Sequence, residues 1–184
     1  MLTFVGMKEY LPILKILGRF LLIYLVLLLI YQLYLNFFQE THIVDPITHW
    51  MGEHCAVVLN KLGYITYMVP DEARKGDFFY VNQVWATIMV EGCNAISIMI
   101  LFVSFIFAFY KGLKKTVLFA LGGLLLLYVL NIFRIVLLNI IAVDYNEYLK
   151  SAHDYLFPAI IYGGVVILWL IWINRFVLRD EASS

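Results

Sequence analysis

The sequence predicts an all-α integral membrane protein, a four-span helical bundle with an amphipathic helix and a small β-hairpin-like outer segment between spans one and two. Three observations carry that prediction. Of the 184 residues, 64% are hydrophobic and only 14% charged, far from the mixture of a soluble domain. Four apolar runs approach the ~20 residues that cross ~30 Å of hydrocarbon. The basic residues of the short segments fall where they would share one side of the membrane. Neither an internal repeat nor a low-complexity tract divides the chain, so residues 1–184 read as a single polytopic membrane domain.

Residues 1–19 set Lys8, Lys15 and Arg19 among Leu, Ile, Phe and Tyr, an interfacial or frayed lead-in. The run after Arg19 is too long for the apolar core of a signal peptide. It ends in Gln32, Asn36 and bulky aromatics instead of a small-residue cleavage site, so it is expected to stay as an anchor. The expected spans are 20–38, 94–110, 116–143 and 156–174, with a polar excursion over 39–92. Lys111, Lys114 and Lys115 form a tight basic loop between spans two and three, and Arg175 and Arg179 follow span four. The second polar loop, 144–155, holds Lys150 against Asp144, Glu147 and Asp154. Lysine and arginine stay preferentially cytoplasmic, so both termini are expected inside and the excursion outside the cytoplasmic (inner) membrane.

Within the excursion, Asp45-Pro46 is a good helix opening. Ile47, Trp50, Met51, Val58 and Leu62 recur at helical spacing, and Gly63 supplies a stop. The segments 64–69 and 78–82 are rich in aromatic and β-branched residues and read as a hairpin around the loop 70–77, with 84–90 as a third strand. Gly122-Gly123 and Gly163-Gly164 are expected to let helices approach closely.

Equal numbers of basic and acidic residues, 13 each, exclude a general attraction to nucleic acid. Cys55 and Cys93 are too few for a disulfide framework and show no CxxC spacing, although both fall on the outer side and a bond between them is open. His49, Glu53 and His54 in HWMGEH fit neither HExxH nor HxxEH. A helix would put His49 and Glu53 on one face and turn His54 away. Neither metal nor cofactor is expected.

Candidate chemistry centres on Cys93, where the polar excursion meets an apolar run. An arginine at the centre of a membrane helix costs about 2.5–3.5 kcal/mol on insertion scales, so Arg134 needs a reason. Cys93 lies 17 residues from Tyr110 and Arg134 lies 18 from Thr116, which puts both roughly 26 Å above the cytoplasmic ends of their helices. His153 falls about one turn higher. A thiolate is the attacking form of cysteine, and a neighbouring cation favours it. Histidine can protonate a leaving amine, and a fixed guanidinium can stabilise an oxyanion. Each residue also has a plain reading: Cys93 packs, Arg134 snorkels to the headgroups, and His153 with Asp154 caps a helix before Pro158. Glu91 either pairs with Arg134 or orders its loop.

The residues Glu91-Gly92-Cys93-Asn94-Ala95-Ile96-Ser97, Asn131-Ile132-Phe133-Arg134-Ile135, and His153 followed by Phe157-Pro158-Ala159-Ile160-Ile161-Tyr162-Gly163 resemble those of a known family in kind and order. The chain is similar to exosortases and archaeosortases, in particular the short, flavobacterial-type exosortase F group. The resemblance covers roughly residues 85–175 well and the remainder loosely. It implies that Cys93 is a nucleophile, Arg134 its electrostatic partner and His153 the acid/base, with Glu91, Asn94, Ser97, Asn131 and Asp154 binding substrate or supporting the site. It further implies partners: secreted proteins bearing a short C-terminal motif, a transmembrane helix and a basic tail, with an envelope acceptor for the product. The expected function is a membrane-embedded cysteine protease or transpeptidase acting at the outer face. Two alternatives stand beside it, a non-catalytic scaffold built on an Arg134–Glu91 ion pair and a cysteine-dependent acyltransferase acting on lipid or sugar.

Overall fold

The computed structural model describes residues 5–39 and 44–178. Arg179, the first four residues and residues 40–43 at the start of the excursion lie outside the described residues. The architecture is mostly helical, with one small antiparallel sheet.

Helix α1, Val5–Gln39, is continuous through Pro12, so the lead-in from residue 5 onward is helical and not a separate segment. α2, Pro46–Lys61, opens as expected: the Asp45 carboxylate accepts from the Thr48 amide at 3.0 Å and caps the helix. Thr48, Met51, Gly52, Cys55 and Leu59 form its buried face. Strands β1 (Thr66–Asp71), β2 (Gly76–Val81) and β3 (Val84–Met89) form a meander in the order β1-β2-β3. β1 begins two residues after the expected 64–69 and β2 two residues before the expected 78–82, which leaves only 72–75 between them. Between β2 and β3, Asn82 and Gln83 both take positive φ, 51° and 67°, the conformation of a two-residue hairpin turn.

Among the described residues, three helices are long and apolar enough to cross a membrane: Tyr10–Phe38, Leu113–Asp144 and Asn146–Val177. The second expected span is shorter than its sequence run. A 3-10 turn takes up Glu91–Asn94, and α3 covers only Ile96–Ala108, 13 residues that rise about 20 Å. The expected span 94–110 is thus α-helical only over 96–108, with Cys93 on the turn before it. α4, Leu113–Asp144, is the central element and touches α2, α3, β3 and the last helix.

The polar segment 144–155 is not an open loop. It winds through a 3-10 turn at Asn146–Tyr148, the one-turn α5 at Leu149–Ser151 and a π-helical stretch at Ala152–Leu156 into α6, Phe157–Trp172. Pro158 has no N–H to give the Asp154 carbonyl one α-turn back, and the Phe157 amide reaches five residues back to the Ala152 carbonyl.

Two cores result. One packs α2 and the buried sheet face (Phe79, Val81, Ala86, Met89) against Ile135 and Val136 of α4. The other joins α3, α4 and α6 around Phe102, Leu127 and Trp172. In the second, a Cβ on Gly123 would stand 2.2 Å from the Phe102 ring and one on Gly164 would stand 3.0 Å from Leu130, whereas Gly122 and Gly163 face open space. One glycine of each pair therefore permits the close approach.

Candidate active site

Strand β3 delivers the chain directly into the 3-10 turn that carries Cys93, closed by the Cys93 amide on the Val90 carbonyl at 2.9 Å. Ala95 leaves the turn in the left-handed region, φ 59° and ψ 14°, a conformation that costs an L residue roughly 1–2 kcal/mol. That reversal aims the Ile96 amide at the Asn94 side-chain oxygen, 2.9 Å away.

A buried polar network holds the turn from behind. Asn94, 1% exposed, donates to the Tyr31 hydroxyl and to Thr48 Oγ1, each at 2.9 Å. Tyr31 donates in turn to Glu91 at 2.9 Å, and Thr48 donates to the Asp45 carboxylate. Tyr34 donates to Asp45 at 3.2 Å. Residues at positions −2 and +1 from Cys93 are thus anchored to α1 and to the cap of α2. Sequence reasoning missed Tyr31, Asp45 and Thr48 as supports. A tyrosine in an apolar span, followed three residues later by Tyr34 on the same face, was the available signal.

From α4, fully buried Asn131 completes the support. Its amide donates to the Cys93 carbonyl and to Met51 sulfur, both at 2.9 Å, and its oxygen accepts from Arg134 Nη1 at 3.3 Å. Arg134 Nε is buried without a hydrogen-bond partner. No ion pair joins Arg134 to Glu91, because Glu91 is turned to Tyr31; the contact on which the scaffold alternative depended is not formed.

His153 and Asp154 project from the π-helical stretch, their side chains 56% and 44% exposed, with His153 Nδ1 3.1 Å from Asp154 Oδ1. Cys93, Arg134, His153 and Asp154 line one cleft of about 440 Å³, together with β3 and Lys150. Glu91, Asn94, Ser97 and Asn131 do not line it. Ser97 is exposed on the first turn of α3, apart from the network. Lys150 was not singled out from the sequence, although it stands three residues before His153, the spacing that puts two side chains on one helical face.

Cys55 is free and fully buried in the core of α2 and the sheet, and Cys93 is free and half-buried. Burial pushes the Cys55 thiol up to about 12, which leaves it unsuited to nucleophilic work. His49 sits 2.7 Å from buried Asp77 and 3.6 Å from Glu53, while His54 turns to the Tyr128 hydroxyl at 2.7 Å. The two histidines of HWMGEH thus face different partners.

The arrangement brings a sulfur, a guanidinium and an imidazole, from three separate elements, to the wall of one cleft. No curated protein and no solved structure matches the chain. The family model described as transmembrane exosortase (Exosortase_EpsH) matches residues 11–177, nearly the whole sequence and every residue that lines the cleft. The chain belongs to the transmembrane exosortase family.

Proposed function

We propose that the protein cleaves C-terminal sorting signals of secreted proteins at the outer face of the cytoplasmic membrane, with Cys93 as nucleophile, Arg134 as electrostatic partner and His153 as acid and base. Transmembrane exosortases are membrane-embedded cysteine peptidases and transpeptidases that act on secreted proteins with such signals. The observation that carries the finer reading is the single cleft shared by Cys93, Arg134 and His153.

Each step follows from the groups present. Cys93 Sγ gives its proton to His153 and attacks the scissile carbonyl, and the Arg134 guanidinium offsets the charge that develops on the carbonyl oxygen. With Nδ1 directed at Asp154, Nε2 is the nitrogen left to return the proton to the departing amine as the C–N bond breaks. The resulting thioester is then opened by water or by an acceptor amine, whose proton passes to His153 while the thiolate leaves.

In this reading α1, α3, α4 and α6 make four spans of one polytopic domain, both termini are cytoplasmic, and the sheet lies outside. α3 itself rises only about 20 Å of a ~30 Å core, and Cys93 stands on the turn at its outer end. The motifs around Cys93, Arg134 and His153 support the short exosortase F type. Mass spectrometry of the C-terminus of a secreted candidate, from cells with and without the protein, tests the reaction. A new carboxyl end or an attached acceptor at the sorting signal is expected only with the protein. An identical, uncut tail in both would refute it, and an acyl chain on Cys93 in place of peptide would reassign it to lipid or sugar acyl transfer.

A further inference from the structure

Five consecutive residues of β3, Trp85 to Met89, line the cleft. Side chains alternate across a strand, so a cleft lying on one face of the sheet would meet only every second residue. The cleft therefore runs along β3 from its outer edge to the sheet face that packs on α4, where Phe79 of β2 also meets it. β3 is an edge strand by topology, since the order is β1-β2-β3.

The register tells which backbone groups that edge presents. The Asn82 amide donates to the Ile65 carbonyl at 2.8 Å, so Asn82, Tyr80 and Phe78 direct their backbone groups toward β1. Val81, Phe79 and Asp77 then face β3, where they oppose Val84, Thr87 and Met89. Trp85 and Ile88 oppose Tyr80 and Phe78, with the bulge between them, so their N–H and C=O groups turn away from β2 along the free edge, and both residues line the cleft. No other backbone or side chain among the described residues bonds to them there. Cys93 follows Met89 by a single turn.

We propose that the free edge of β3 is the binding register for the scissile chain: an extended peptide adds as a fourth strand, hydrogen-bonded to the backbone of Trp85 and Ile88, and is thereby led along the cleft to Cys93. An unpaired edge is a ready template for an incoming strand, and such pairing supplies affinity through the main chain while side-chain pockets supply selectivity. The sheet is then a substrate-aligning device as well as a cover for α4. This rests on Cys93 being the attacking group.

The test uses the full chain in lipid nanodiscs, alkylated at Cys93 either with the tripeptide reagent Ala-Ala-Ala chloromethyl ketone or with iodoacetamide. Amide hydrogen exchange is then resolved to single residues. The tethered peptide is expected to slow exchange at Trp85 and Ile88 by about tenfold or more relative to the iodoacetamide form, with Thr87 and Met89, already bonded to β2, unchanged. Equal rates at Trp85 and Ile88 in the two forms would overturn the edge pairing while leaving the nucleophile intact. Failure of both reagents to reach Cys93 would overturn the catalytic reading beneath it, and the proposal with it.

Discussion

The side-chain amide of Asn131 donates to the backbone carbonyl of Cys93 at 2.9 Å. The same side chain accepts from Arg134 at 3.3 Å, so one buried residue of α4 joins the turn that carries the sulfur to the guanidinium across the cleft. Replacing it with leucine leaves a carbonyl and a cation unsatisfied. Asn131→Leu is expected to lower stability by about 1–3 kcal/mol and to slow processing of a sorting-signal substrate by tenfold or more. Unfolding in detergent and initial processing rates check both, and wild-type rates in this variant would show that the bridge positions nothing.

The two cysteines separate by burial. Cys55 is raised from an ordinary value of 9.0 to about 12 because the folded core disfavours its charged form. The sign follows: folding favours the neutral thiol, so this contribution to stability is complete below pH 9 and is lost as pH rises toward 12. Iodoacetamide at pH 8 is expected to label Cys93 and to spare Cys55 until the protein is unfolded. Peptide mapping after labelling decides it; equal modification of both thiols in the native protein would contradict the burial assigned to Cys55.

Gly123 and Gly122 are neighbours in sequence with opposite surroundings. A Cβ at Gly123 meets the Phe102 ring at 2.2 Å, and one at Gly122 meets nothing. Gly123→Ala is expected to destabilise the bundle by about 1–3 kcal/mol through overpacking. Gly122→Ala is expected to be neutral or to gain up to ~1 kcal/mol from helix propensity. Thermal unfolding midpoints of the two variants should move apart, and a shared midpoint would show that the α3–α4 approach is looser than described.

Tyr31 is the hydroxyl between Glu91 and Asn94. Tyr31→Phe removes a donor from one flank of Cys93 and an acceptor from the other, at a cost of about 1–3 kcal/mol. The processing rate at saturating substrate is expected to fall more than substrate affinity, since the residue orders the nucleophile's turn and does not reach the cleft. A change confined to affinity would argue for direct contact with substrate instead.

Elements were legible where the pattern changes period or chemistry. Asp45-Pro46 announced α2, and the aromatic and β-branched segments announced the strands. Ends of apolar helices were not legible, because lipid-facing and core-facing positions carry the same side chains; α1 therefore began earlier, and α3 lost two residues at each end of the expected 94–110. The helical course of 146–156 was hidden by its polar residues, for which solvent exposure and helix are compatible. Cys93, Arg134 and His153 line one cleft, but the count of helical rise that set them at one depth assumed an unbroken helix over 94–110, and the turn at Glu91–Asn94 and the reversal at Ala95 were not legible in an apolar run. Nor was the partner of Glu91, since Tyr31 lies 60 positions away in another helix and only packing brings the two together.

The central claim is that the sulfur of Cys93 performs the cut, and the most direct measurement is the processing of a sorting-signal protein by Cys93→Ala beside Cys55→Ala. Mass spectrometry of the substrate's C-terminus should find it fully uncut with the first variant, at normal enzyme abundance, and cut with the second. Normal cutting by Cys93→Ala would contradict the account at its root.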